Sequence, residues 1–248
     1  MEIKGALHVH TDLSHDGKLS LESAAELFRQ HGFQFVSLAE HAEDMDAAKV
    51  EEMRHRAAAI SSAEFLVIPG LEYACPGLLH IVGVGCDQVF NFREPERVAR
   101  AIRDAEGFTV LAHPRRMQWQ CDAGLLRSIH AIEVWNVGYD GKLLPLAQSL
   151  EFLDRARLAN AELLACVGVD LHHASGFYPL GVQMDVQRLT REEILARLIR
   201  GQYTITAPGL HLHARDEVSK VQLLALRTAR VPLDGYKKMR RTLTAVTR

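Results

Sequence analysis

Short apolar runs that end in polar residues alternate along this chain with stretches whose apolar positions recur every three or four residues. The first run predicts a strand over 2–9 that leads into His8-Val-His10. Ser20 is placed to cap a helix, because Leu21, Ala24, Ala25, Leu27 and Phe28 then repeat at helical spacing as far as Gly32. The same reading predicts strands over 33–38, 65–68, 78–84, 108–112, 129–134, 163–169 and 203–206. It also predicts helices over 42–62, 95–105, 143–160 and 189–200, the last capped by Thr190 with Glu193 three residues on. A basic tail, 237–241, reads as a solvated surface helix. Repeated strand-then-helix order predicts an α/β protein with a parallel sheet, and the number of units predicts a closed or nearly closed barrel. Loops at the carboxyl ends of such strands converge on one mouth, so residues distant in sequence meet there.

Composition narrows the class. A chain of 248 residues suits one barrel-sized domain spanning 1–248, and 48% apolar with 24% charged residues is the balance of a soluble protein with a substantial core. The formal net charge of -2 gives no overall basic field, which argues against a long nucleic-acid duplex as partner. The N-terminus has no basic region followed by an apolar stretch, and no apolar run reaches membrane-spanning length, so a cytoplasmic location without membrane contact is expected. Cys75, Cys86, Cys121 and Cys166 lack any CxxC spacing and read as free, mostly buried thiols.

The chemistry sits at the strand ends. Side chains alternate along a strand, so His8 and His10 face one side and form half of a metal site. Successive runs then deliver Asp16, His41, Glu72, His80, His113, Asp170 and His172. Nine nitrogen and oxygen donors are too many for one ion and suit two or three. The absence of cysteine from the set points to Zn, Mn or Fe. As a purely structural set, so many buried imidazoles would be costly. Glu133 reads either as a site residue or as an acceptor for loop amides. His211 and His213 read as an ordinary exposed strand or turn, while His15, His31, His55 and His130 read as surface or helix residues.

Taken in order, His8-Val-His10, Ser14-His-Asp16-Gly17, Glu40-His41, Gly70-Leu-Glu72, His80-Ile-Val-Gly83, Ala112-His113-Pro114 and Asp170-Leu-His172 resemble the polymerase and histidinol phosphatase (PHP) family of metal-dependent phosphoesterases. The resemblance runs through most of the chain. It implies a distorted, TIM-like (β/α)7 barrel with a trinuclear site at the C-terminal ends of its strands. It further implies one ion held by His8, His10, Glu72 and Asp170, and a second by Glu72, His80 and His113. Asp16, His41 and His172 would hold the third. Many relatives have Thr-Asp-His where this chain has Ala39-Glu40-His41, a change expected to alter how His41 is oriented. Glu40 is similar to histidinol phosphatases, whereas Asp16-Gly17 and the surroundings of His80 resemble stand-alone enzymes acting on nucleotides or short oligonucleotides.

The expected activity is hydrolysis of a small phosphate ester by metal-activated hydroxide. Arg115 or Arg116, directly after His113, is expected to clamp the phosphate, and His173 or a water to protonate the leaving group. Two other readings are a catalytically weak metal-binding module and a hydrolase of C–N or C–O bonds.

Overall fold

The computed structural model describes residues 1–208 and 210–231. The first strand, β1 (Glu2–Val9), is buried along nearly its whole length, as its run of apolar residues requires of a central strand. Helix α1 (Leu21–Gln30) follows, with the Ser20 hydroxyl accepting from Ser23 N–H and with Leu21, Ala24, Ala25 and Phe28 on its buried face. The next run is split by Ala39 into β2 (Phe35–Leu38) and β3 (Glu40–His41). Helix α2 (Ala47–Ile60), capped by Asp46, starts later than expected because a 3-10 turn, Ala42–Asp44, intervenes. Pro69 splits the following run into β4 (Leu66–Ile68) and β5 (Gly70–Cys75), and β6 (Leu79–Val84) comes next.

Beyond β6 lie α3 (Pro95–Asp104), β7 (Phe108–Leu111), the short α4 (Ala123–Ser128), β8 (Ala131–Asn136) and a single helical turn, α5 (Val137–Asp140). Then come α6 (Ala147–Ala156), β9 (Leu164–Gly168), β10 (Gly181–Asp185), α7 (Arg191–Ile199), β11 (Thr204–Ala207) and β12 (Leu210–His213). Residues 220–231 are helical, and the basic run 237–241 lies outside the described residues.

The strands form two six-stranded sheets, in the orders β12-β11-β10-β1-β2-β4 and β3-β5-β6-β7-β8-β9. The expected parallel sheet is corrected here, since both sheets are mixed. Only Pro76–Leu78 connects β5 to β6, too short a link for a crossover, so β6 returns antiparallel through a turn where Gly77 takes φ +79°. It is antiparallel to β7 as well, while β10 runs antiparallel to β1 and β11. Pairings β1–β2, β2–β4, β3–β5, β7–β8 and β8–β9 are parallel. The chain beyond β9 bonds to β1: Val169 N–H donates to Leu7 O at 3.0 Å and Asp170 N–H to His8 O at 2.7 Å.

Helices α3 and α6 pack on the second sheet, α3 against β6 and β7 and α6 against β8 and β9. Fully buried Phe35, Phe108, Trp135 and Tyr203 anchor one continuous core. Cys75, Cys86 and Cys166 are buried free thiols and Cys121 is partly buried, as the sequence suggests.

Candidate metal centre

Bent backbone brings the strand-end residues together. His8, His113 and Asp170 all have left-handed conformations, with φ of +62°, +27° and +53°. Such values are strained for residues with a Cβ and concentrate at functional sites. At His8 the bend coincides with a shift in β1–β2 register between Ala6 and Val9. His113 turns just past β7 and Asp170 just past β9, so each side chain leaves the regular alternation of its strand.

Glu72 lies at the middle of the cluster. Its Oε1 is 2.9 Å from His80 Nδ1, 2.9 Å from His113 Nε2 and 3.4 Å from His8 Nε2. Its Oε2 is 3.1 Å from His41 Nδ1 and 3.8 Å from His10 Nε2. Asp170 Oδ1 stands 3.4–3.6 Å from nitrogens of His8, His10 and His172. Asp16 spans His41 and His172, at 3.2 Å from each. All nine candidate donors therefore share one cluster. Their grouping overlaps without copying the partition implied by resemblance: His113 falls within reach of His8 and Asp170 as well as of Glu72 and His80, and His10 groups with His41 and His172.

The donor chemistry fits divalent cations. His8 Nε2, both nitrogens of His10 and His113 Nδ1 are buried without a hydrogen-bond partner. Buried imidazole nitrogens without partners are expensive, and each neutral ring offers one lone pair that a cation would satisfy. Burial drives His10 well below the usual imidazole range and outweighs the opposing pull of Glu72, with the imidazoles of His8, His172 and His41 adding to it. Burial also disfavours charge on His8, yet Glu133, Asp170 and Glu72 together raise it well above that range. Glu72 is held well below the usual carboxylate range, because the surrounding imidazoles overcome its own burial.

Two further carboxylates support the cluster. Glu133 Oε1 lies 2.7 Å from His8 Nδ1, while its Oε2 accepts from His113 N–H at 2.7 Å and from the Asn136 amide at 2.8 Å. Both sequence readings of Glu133 thus meet in one side chain, which orients a candidate donor and satisfies a loop amide. Glu40 acts on His41 at one remove, through Ser14. Its carboxylate accepts from Thr11 N–H at 3.1 Å, Thr11 Oγ1–H at 2.6 Å and Ser14 Oγ–H at 2.5 Å, tying the loop that leads to Asp16. Ser14 Oγ in turn accepts from the His41 backbone N–H at 3.0 Å.

The cluster floors a cavity of about 730 Å³. Arg116 and His173 line it, whereas Arg115 is exposed outside the lining and donates to Tyr139 O at 2.7 Å. Arg116 Nη1 sits 2.9 Å from His80 Nε2. His173, at the rim, has Ser175 Oγ 2.8 Å from its Nδ1. His15 is exposed, as the sequence suggests, and it also lines the cavity, with its ring 5.2 Å from His41 and Nδ1 2.7 Å from Asp44. Asp44 is 29 residues away, so no local pattern announces the pair. Tyr139 and Lys142 also line the cavity and carried no motif. Their signal was the Asn136 cap, whose side chain accepts from Tyr139 N–H. His130 is half-buried, not a surface residue, and its Nδ1 accepts from Thr109 N–H at 3.1 Å.

Neither a scan of family models nor a search of curated proteins returns a match to this chain. Solved structures do match. The chain is similar to a two-domain protein from Bacteroides vulgatus containing a predicted PHP-like metal-dependent phosphoesterase, with TM-score 0.61 and 16% identity. That match covers 85% of this chain and 66% of the other, so the chain spans less than two thirds of that protein. It is also similar to PsfC from Pseudomonas syringae, with TM-score 0.55, 14% identity and coverage of 79% and 88%. A presumed metal-dependent phosphoesterase from Bifidobacterium adolescentis matches with TM-score 0.52, 17% identity and coverage of 79% and 94%. The fold is therefore one shared with PHP-like metal-dependent phosphoesterases.

Proposed function

We propose that this protein is a metal-dependent phosphoesterase that hydrolyses a small phosphate ester, a phosphomonoester or a short-oligonucleotide phosphodiester. The observation that carries the reading is the convergence of nine donors, four of whose ring nitrogens are buried and unpartnered, around Glu72. In this reading His8, His10, Asp16, His41, Glu72, His80, His113, Asp170 and His172 hold two or three ions of Zn, Mn or Fe. The two sheets form a single distorted (β/α)7 barrel. The breaks at Ala39 and Pro69 and the hydrogen bonds from Val169 and Asp170 to β1 support seven strands in a ring. One domain spans the chain and works in the cytoplasm.

Bound divalent ions supply positive charge to a phosphoryl group and lower the pKa of water. The chain's own residues do the rest. Arg116, a fixed cation at the cavity wall, offers a planar fork to non-bridging oxygens and favours an anionic group over a neutral amide. Arg115, committed to Tyr139 O, takes no part. His173, whose Nδ1 lies 2.8 Å from Ser175 Oγ, would act from its imidazolium form, passing the Nε2 proton to the leaving oxygen and returning to the neutral ring.

Protein purified without chelators is assayed for bound metal and for phosphate release from sugar phosphates, histidinol phosphate, nucleotides and short oligonucleotides, beside Asp170→Asn. Two or more ions, with turnover abolished in the variant, are expected. Metal-bound protein that turns over none of these would leave a metal-binding module. Protein that neither holds Mn, Zn or Fe nor gains activity with them sinks the reading altogether.

A further inference from the structure

The helical segment 220–231 reaches, through a buried side chain, the segment that carries one wall of the cavity. Arg230 is 6% exposed, and its guanidinium meets three main-chain carbonyls. Nη2 donates to Asp140 O at 2.9 Å, and Nη1 donates to Leu144 O and, at 3.3 Å, to Pro145 O. Asp140 ends α5, and carbonyls at a helix C-terminus have no partner within the helix. A guanidinium, with five donors in a rigid fork, can hold several such carbonyls at once, which an ammonium cannot match.

The segment held in this way faces the candidate site on its other side. Gly138, Tyr139 and Lys142 all line the cavity. The Tyr139 ring lies 4.5 Å from that of His113, and Lys142 Nζ donates to Ser175 O at 2.6 Å. Residues 141–146 are irregular, so their placement depends on contacts from elsewhere. Trp135 Nε1–H supplies one, donating to Gly141 O at 2.8 Å, and Arg230 supplies the others just described.

We propose that Arg230 is a positioning residue: from the helical segment 220–231 it fixes 137–145 and so sets how Tyr139 and Lys142 face a bound substrate. Only the kinetic part of its test rests on the phosphoesterase reading. Arg227 is the natural control, since it lies on the same helix but pairs with Glu151 at the surface, 2.5 Å away.

Arg230→Ala, Arg230→Lys and Arg227→Ala are made in the full chain and followed by hydrogen exchange, melting and phosphate-ester kinetics. In Arg230→Ala, amides of 137–145 are expected to exchange about ten-fold faster or more while those of β1 and β7 keep wild-type rates. KM should rise about ten-fold with kcat within about two-fold, because Tyr139 and Lys142 would face the bound substrate from the wall and are not themselves among the nine donors. Arg230→Lys should recover part of both effects. Added guanidinium ion at sub-denaturing concentration should slow exchange of 137–145 in Arg230→Ala and leave Arg227→Ala unchanged. Unaltered exchange in 137–145, or equal acceleration of every amide, overturns the proposal. If Arg230→Ala does not fold, Arg230→Lys decides by the same contrast. A wild-type protein inactive on phosphate esters would defeat the function proposed above and leave the exchange result to decide Arg230.

Discussion

Glu133 Oε1 lies 2.7 Å from His8 Nδ1, and both side chains are buried, so the carboxylate fixes which ring nitrogen of His8 faces the cluster. Glu133→Gln keeps the shape and removes the charge. Metal affinity is expected to fall about 10–100-fold, the usual effect of losing an oriented partner behind a ligand. Competition with a chelating dye measures it, and unchanged affinity would remove Glu133 from the site's support.

Gly168 gives that carboxylate its room. A Cβ on residue 168 would stand 2.1 Å from Glu133 Oε1 and 3.0 Å from His8 Nδ1. Gly168→Ala should therefore destabilise the protein by about 1–3 kcal/mol and displace Glu133 from His8. Denaturant unfolding checks the first effect, and metal titration should give the same loss of affinity as Glu133→Gln.

His130 makes acid stability pH-dependent. Burial, and then the nearby Arg103 charge, lowers its pKa to about 4. An unfolded chain takes up this proton near pH 6.5 while the folded one does not. The contribution of neutral His130 is thus complete above pH 6.5 and is lost as pH falls from there toward 4. His130→Gln should flatten that part of the stability profile relative to wild type, and identical slopes in urea melts from pH 7 to 4 would refute the assignment.

Removing metal should lower the melting temperature. A ligand that binds only the folded state stabilises it by about 2.7 kcal/mol at a hundred-fold excess over Kd, and at this chain length each kcal/mol moves Tm by roughly 2–4 °C. Treatment with a chelator followed by differential scanning calorimetry tests this, with recovery expected on adding Mn or Zn back.

The two arginines after His113 should separate. Arg116→Ala is expected to raise KM for a phosphate ester about ten-fold or more, and Arg115→Ala to change it less than two-fold. Steady-state kinetics on the two variants decides, and equal effects would contradict the different settings of the two side chains.

Much of this architecture is legible in the chain because several apolar runs stop at, or just before, a polar residue that the fold brings into the cluster. His113 and Asp170 follow their runs directly and meet the cluster around Glu72. What escaped depended on contacts between distant segments. The direction of β6 follows from a three-residue link, and apolar periodicity carries no strand direction. β10, with the sequence Gly-Val-Gln-Met-Asp, has too few apolar residues to stand out. That Glu40 bears on His41 is legible from their adjacency, but that it does so by accepting from Thr11 and Ser14 on another loop is not. The contact between His15 and Asp44, 29 residues apart, is likewise invisible in the local sequence.

The left-handed backbone at His8, His113 and Asp170 bears on any attempt to transplant this centre. On regular strands the same residues would follow ordinary alternation, and their side chains would splay instead of closing on Glu72. A designer copying only the residue types and spacings would obtain nine scattered donors. The three bends have to be imported with them, together with a scaffold stiff enough to hold each in a conformation that costs about 1–3 kcal/mol.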